Sequence, residues 1–271
     1  MARSKLRLVG DHRPDWSAEA RGPISPIFLA LIAGFIASGV ALWRGFGSDR
    51  AGTFIFVLTG WLISLCLHEF MHAAAAYWGG DHTVAGKGYL RLDPMRYGHP
   101  VLTFILPMVY LLIGALPLPG GAVMIENHRL RSKFRDSMTS LAGPAANIVS
   151  AGILLTVLAV ADPAYQFGNH LAFWSALSFL AYLQVATAIL NLIPIPGLDG
   201  YGVIEPYLSG EWRRLGNQIR PYGLLIMFLL LFALPQTRHL ISNWSIDIMT
   251  AVGAPTGWVG LGQFLFQFWK N

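Results

Sequence analysis

Two histidines and a glutamate stand within five positions, His68-Glu69-Phe70-Met71-His72, inside an otherwise apolar run from Gly52 to Trp78. On a helix, residues four apart share a face, so His68 and His72 can both present a ring nitrogen to one Zn²⁺. Glu69 then reaches a metal-activated water as general base. Packed helix histidines are the plain alternative. Yet an ionisable side chain at a membrane helix centre costs roughly 2.5 to 3.5 kcal/mol on insertion scales, and such residues are functional by default. Two histidines leave a catalytic zinc one protein ligand short, the fourth place belonging to water. Asp199, in the Gly-flanked turn Pro194-Ile-Pro196-Gly197-Leu198-Asp199-Gly200, is the best candidate, with Glu205 second. Asp199 could instead cap a short helix running through Gly202 and Val203.

The elements that must position these groups are membrane elements. Hydrophobic residues make up 54% of the 271 positions and charged residues 12%, against about 25% charged in soluble domains. Spans are expected near Ile24–Trp43, Gly52–Trp78, Met138–Ala161 and Leu171–Ile195. Tyr222–Leu234 is apolar but short, and Ile246–Trp269 is Gly-interrupted and suits a span or an interfacial segment. The fold class is therefore an all-α polytopic membrane protein of about five to six transmembrane helices. A re-entrant segment is expected at Val101–Pro119, broken by Pro107, Pro117 and Pro119. Tyr89-Leu90-Arg91-Leu92 alternates as a short strand would, so a small membrane-associated β hairpin or edge is expected, with Gly120–Val123 as its second part. Residues 1–22 read as a cytoplasmic tail and 23–271 as one membrane-embedded domain whose first helix is a retained signal anchor.

A net charge of +5 sits in the loops, where it sets orientation and meets anionic headgroups rather than nucleic acid. If Val101–Pro119 enters and leaves by one face, the tail and the 79–99, 120–137 and 197–220 loops hold fifteen Lys and Arg on one side, with Arg44, Arg50 and Arg238 on the other. The positive-inside rule makes that richer side cytoplasmic. Both His68 and Asp199 then lie toward the cytoplasmic face of a multi-pass cell-membrane protein. Cys66 is the only cysteine; two residues before His68, it points off the histidine face and reads as packing.

The pairing of His68-Glu69-x-x-His72 with Asn191-x-x-Pro194-x-x-x-Leu198-Asp199-Gly200, and with Gly143-Pro144-x-x-Asn147 between, resembles the site-2 protease family of intramembrane zinc metalloproteases. Gly88-Tyr-Leu-Arg-Leu-Asp93-Pro94, the basic loop before Ser140-Leu-Ala-Gly143 and Tyr222-Gly223 echo its compact bacterial branch, which lacks a PDZ domain. The resemblance covers roughly Ile24 to Gly253. It implies one zinc per chain on His68, His72 and Asp199, with Glu69 as base. It also implies that Asn147 and Asn191 lie near the site and position substrate. From the residues alone, Asn147 could equally bond between helices, and Asn191 could brace the break before Pro194. The branch departs from this chain where Gly-Trp-Ala-Lys-Pro-Val is replaced by Leu116-Pro-Leu-Pro119-Gly120-Gly121-Ala-Val123, and where an Asp before Pro100 is replaced by His99.

The expected activity is hydrolysis of peptide bonds in or near transmembrane segments of a membrane-protein substrate. Tyr89–Leu92 and Gly120–Val123 are expected to pair with that substrate by strand addition. The alternative is a proton- or metal-ion-coupled transporter using the same His/Glu/Asp cluster. Transport needs no Glu beside the first ligand, however, and the two halves show no inverted repeat. An inactive scaffold would not need Glu69 at all.

Overall fold

The computed structural model describes residues 24–97, 106–112, 123–161 and 169–270. The tail 1–22, the Gly120–Ala122 part of the expected edge, and Val101–Pro119 apart from Leu106–Leu112 lie outside the described residues.

The first two helices form an antiparallel pair. Helix α1, Pro26–Arg44, starts where Ser25 Oγ accepts from Ile27 N and ends at Gly45, whose φ of 65° lets its N–H return to Ala41 O and Leu42 O. Helix α2, Asp49–Gly79, is capped by Ser48 and runs for 31 residues. Its length of about 46 Å exceeds a hydrocarbon core of about 30 Å. Short helices α3 (Thr83–Gly86) and α4 (Leu106–Leu112) precede α5, Lys133–Val160, whose N-cap Ser132 accepts from Arg135 N. Helix α6, Leu171–Leu192, leads through a Pro-broken turn to α7, Asp199–Ile204. The chain closes with α8 (Gly210–Ile219), α9 (Gly223–Ala233), α10 (Pro235–Ala251) and α11 (Gly257–Phe266).

Among the described residues, five stretches are long and apolar enough to cross a bilayer: α1, α2, α5, α6 and the run Gly210–Ala233. The first four match the expected spans. Ile246–Trp269 is not one helix, because α10 stops at Ala251 and Gly253 turns at φ 77° before α11 begins. Helix α6 is the bundle's axis, buried from Ala172 to Asn191 with few breaks among α2, α5, α10 and α11. The outward faces of α1 and α5 carry exposed Ile36, Val40, Ile153 and Val160, the apolar surface that lipid requires.

The expected strand at Tyr89–Leu92 is not there. Tyr89–Arg91 is a turn of 3₁₀ helix, and no strand occurs among the described residues. Gly88 and Leu92 bracket it in the left-handed region at φ 76° and 51°. Tyr89, Leu90 and Leu92 all pack on one apolar cluster with Cys66, Ala73 and Val84, so the alternation reflects a tight turn and not a two-faced strand.

Contacts sort the loops by end. Ser25 N donates to Arg91 O at 3.0 Å, Arg131 N to Gly79 O at 3.1 Å and Arg135 Nη1 to Trp78 O at 2.8 Å. Ser137 Oγ donates to Val203 O at 2.6 Å. The start of α1, the end of α2, the start of α5 and helix α7 therefore share one end. At the other, Trp43 stacks on His170 with centroids 3.9 Å apart.

Helix α11 docks where α6 leaves room for no side chain. A Cβ on Gly262 would stand 2.1 Å from Ser175 O and 2.7 Å from Phe179 Cβ, whereas one on Gly260 meets nothing within 4 Å. Gly262→Ala should therefore lower stability by about 1–3 kcal/mol, the usual range for overpacking. Gly260→Ala should stay within about 0.5 kcal/mol. Thermal unfolding in detergent compares the two; equal melting temperatures would contradict this packing.

Candidate active site

The H-E-x-x-H turn lies in the inner half of α2. His68 is eleven residues before the helix end, roughly 16 Å along the axis. His68, Glu69 and His72 are all buried, with Glu69 only 1% exposed. Facing them, α5 brings Gly143 and Asn147, and α6 brings Gln184 and Asn191. The turn after α6 brings Asp199.

That turn is built from residues that cannot continue a helix. Pro194 and Pro196 lack donors, and Gly197 takes φ 104°. Leu198, not Asp199, is the N-cap of α7, and Asp199 is its first residue. The Asp199 carboxylate is thus not consumed in capping. It places Oδ2 3.2 Å from His68 Nε2 and Oδ1 3.3 Å from His72 Nε2.

The two ring nitrogens facing Asp199 are lone-pair atoms. His72 Nδ1 donates to Thr139 O at 2.7 Å, and His68 Nδ1 donates to Asn147 Oδ1 at 2.6 Å. The Asn147 orientation follows from its other end, where Nδ2 donates to Ser64 Oγ at 3.2 Å and to Gln184 Oε1 at 3.1 Å. Ser64 Oγ donates to the same Gln184 oxygen. With both protons on Nδ1, the Nε2 atoms point lone pairs at each other across 3.1 Å. A cation between them makes that arrangement favourable. Bonds of 2.0–2.1 Å in a tetrahedron give ligand separations of about 3.3 Å, close to the three edges observed. The residues present fit zinc.

Glu69 Oε2 accepts the Val123 N–H at 3.2 Å. The Val123 amide, expected to pair with a substrate strand, is therefore turned into the site. Glu205, the second candidate ligand, is paired with Arg220 instead. His128 is surface-exposed beside Glu126, and His99 lies outside the described residues. Cys66 is fully buried in the apolar cluster, away from the ligand set. Asn191, 4% exposed, lines a cavity of about 10 Å³ with Ser64, His68, Asn147 and Thr187, room for about one water. Sequence reading missed Ser64, Gln184 and Thr139. Gln184 had a signal, a lone amide in the middle of an apolar helix, but nothing in the sequence pairs it with Asn147.

A helical membrane bundle carrying H-E-x-x-H with a distant aspartate on the same face has the architecture of a membrane-embedded metalloprotease. Comparison with known proteins agrees. The Mycolicibacterium smegmatis protein named "Putative zinc metalloprotease Rip2" is 43% identical over 253 residues, covering 91% of this chain and 94% of its own length. The Mycobacterium tuberculosis H37Rv protein of the same name is 38% identical over 254 residues, with the same coverage. Bacillus subtilis YwhC, also named as a zinc metalloprotease, is 33% identical over 184 residues, 66% of this chain and 81% of its own. No family model and no solved structure matches. The chain belongs to the site-2 protease family of zinc metalloproteases.

Gly143 is the site's steric condition. A Cβ there would lie 2.2 Å from His72 Nε2 and 2.6 Å from His68 Nε2, in the space between the candidate ligands. Gly143→Ala should therefore lose zinc while remaining folded, and Gly152→Ala, whose methyl meets nothing within 4 Å, should keep about one zinc per chain. Metal analysis of the two purified proteins decides; full zinc in Gly143→Ala would contradict the geometry.

Proposed function

We propose that this chain is an intramembrane zinc endopeptidase that cuts peptide bonds in or near transmembrane segments of membrane-protein substrates. The observation that carries the proposal is the convergence of two Nε2 lone pairs and the Asp199 carboxylate within 3.1–3.3 Å of one another, with a buried glutamate one residue from the first ligand. His68, His72 and Asp199 are assigned as ligands and Glu69 as general base. Bound zinc supplies Lewis acidity, bringing the pKa of its water toward about 7 and polarising the scissile carbonyl.

The chain's own residues do the rest. Asn147 and the Thr139 carbonyl fix the histidine tautomers, and such partners typically account for 10–100-fold in metal affinity or activity. Asn147 is thus assigned to ligand orientation, in place of the substrate positioning expected from sequence. Asn191, beside the water-sized cavity, keeps a role in the site. Glu69 takes a proton from the attacking water and delivers it to the leaving amine. A substrate helix hides its carbonyls in hydrogen bonds, so the segment at the cut must be unwound when it meets Glu69.

The protein is assigned to the cell membrane with residues 1–22 and the active-site end cytoplasmic, and 23–271 forming one embedded domain. The gathering of the 79–97, 123–135 and 197–220 segments at one end supports this, because those segments carry most of the loop Lys and Arg. In a Cys66→Ser background, a cysteine at Arg131 should resist a membrane-impermeant maleimide added outside intact cells and react once the cells are opened. Labelling from outside would reverse the orientation.

Ligand and base should separate cleanly. His68→Ala, His72→Ala and Asp199→Ala should each lose zinc and activity together. Glu69→Gln should keep about one zinc per chain while the rate falls by roughly 10²–10⁴, the usual worth of a general acid–base group. Metal content beside cleavage of an unfolded, fluorescein-labelled casein reads both. Full casein cleavage by Glu69→Gln would contradict the assignment of Glu69 as the base.

A further inference from the structure

Asp81 is fully buried at the turn after α2, and its two oxygens do different things. Oδ1 accepts from Thr83 N at 3.1 Å and Thr83 Oγ1 at 2.6 Å, which closes its own turn. Oδ2 accepts from Glu126 N at 2.8 Å, 45 residues along the chain. Lys87 Nζ holds the same segment by donating to Met124 O at 2.9 Å. The backbone O of Met124 and N–H of Glu126 thus face Lys87 and Asp81, while the N–H of Val123 faces Glu69. Val123 and Ile125 bury their side chains in the cluster around Cys66, Ala73, Tyr89 and Tyr97. The short segment Val123–Glu126 thus connects the Asp81 carboxylate to the Glu69 carboxylate.

We propose that Asp81 is a positioning residue for catalysis, fixing the 123–126 segment so that the Val123 N–H orients Glu69 toward the attacking water. The inference rests on Glu69 being the base. With Oε2 held by Val123, the other oxygen is left to take the proton. Without the anchor the segment keeps its apolar packing but loses its register, and Glu69 loses the donor that aims it. A misplacement of about 1 Å can reduce a rate by 10²-fold.

Asp81→Asn keeps the shape but leaves one acceptor oxygen where two served Thr83 and Glu126. We expect kcat on fluorescein-labelled casein to fall about 10- to 100-fold, with zinc near one per chain and KM unchanged. Thr83→Val, which leaves Oδ2 free to hold Glu126, should stay near the wild-type rate. Two further variants bypass Asp81 should Asp81→Asn fail to fold. Glu126→Pro removes the N–H that Asp81 accepts, and Glu126→Ala keeps it while removing the same side chain. The Pro variant should match the loss expected of Asp81→Asn, and the Ala variant should not. In a Glu69→Gln background Asp81→Asn should add no further loss, because groups acting as one unit are non-additive. Equal kcat for Glu126→Pro and Glu126→Ala, or losses that multiply with Glu69→Gln, would overturn the proposal. A wild-type kcat in Glu69→Gln alone would instead overturn the base assignment beneath it.

Discussion

Two imidazole lone pairs pointed at each other across 3.1 Å in the apolar interior of a bundle are the constraint from which much of this structure follows. Neutral nitrogens repel there, and charged ones would be desolvated. A cation between them and an anion beside them satisfy both. That requires each histidine to surrender its other nitrogen to a fixed acceptor, and both acceptors, Thr139 O and Asn147 Oδ1, come from α5. It also requires α5 to approach α2 closely enough that only a glycine fits at position 143. The aspartate must then arrive from a third element whose helix has already ended.

Buried polarity away from the ligands is organised to keep this constraint rigid. Ser64, Asn147 and Gln184 join α2, α5 and α6 through side-chain bonds inside the bundle. Each group left unpaired there would cost about 1–3 kcal/mol, so the network resists rearrangement. The register of three helices is thereby tied to the tautomer of His68. On the opposite side of the histidine turn, the 123–126 segment supplies a backbone donor to Glu69 and is itself anchored at Asp81. Glu69 and the candidate ligands are therefore aimed from different elements.

The chemistry was legible in the sequence because it depends on spacing within elements: His68 and His72 four apart on one helix, and Asp199 at a Pro-Gly break. The spans of α1, α2, α5 and α6 were legible for the same reason, as long apolar runs. What failed was the strand at Tyr89–Leu92. Alternation over four residues cannot distinguish a strand from a turn with left-handed residues at both ends, and Leu92 at φ 51° carries no sequence sign of it. Gln184 and Asp81 were passed over because their roles are tertiary. One meets Asn147 from another helix, and the other meets a backbone amide 45 residues away. Asn147 was found, but its role was set by what its carbonyl touches, which no spacing encodes.

The central claim is that zinc is held by two histidine Nε2 atoms and a carboxylate in a site without sulfur. X-ray absorption at the zinc edge on the purified, detergent-solubilised protein tests this most directly. The account predicts a first shell of nitrogen and oxygen only, at about 2.0–2.1 Å, with outer-shell scattering from two imidazoles that drops to one in any His68→Ala or His72→Ala protein retaining metal. A thiolate scatterer at about 2.3 Å, for which Cys66 is the sole cysteine source, or a shell without imidazole would contradict it.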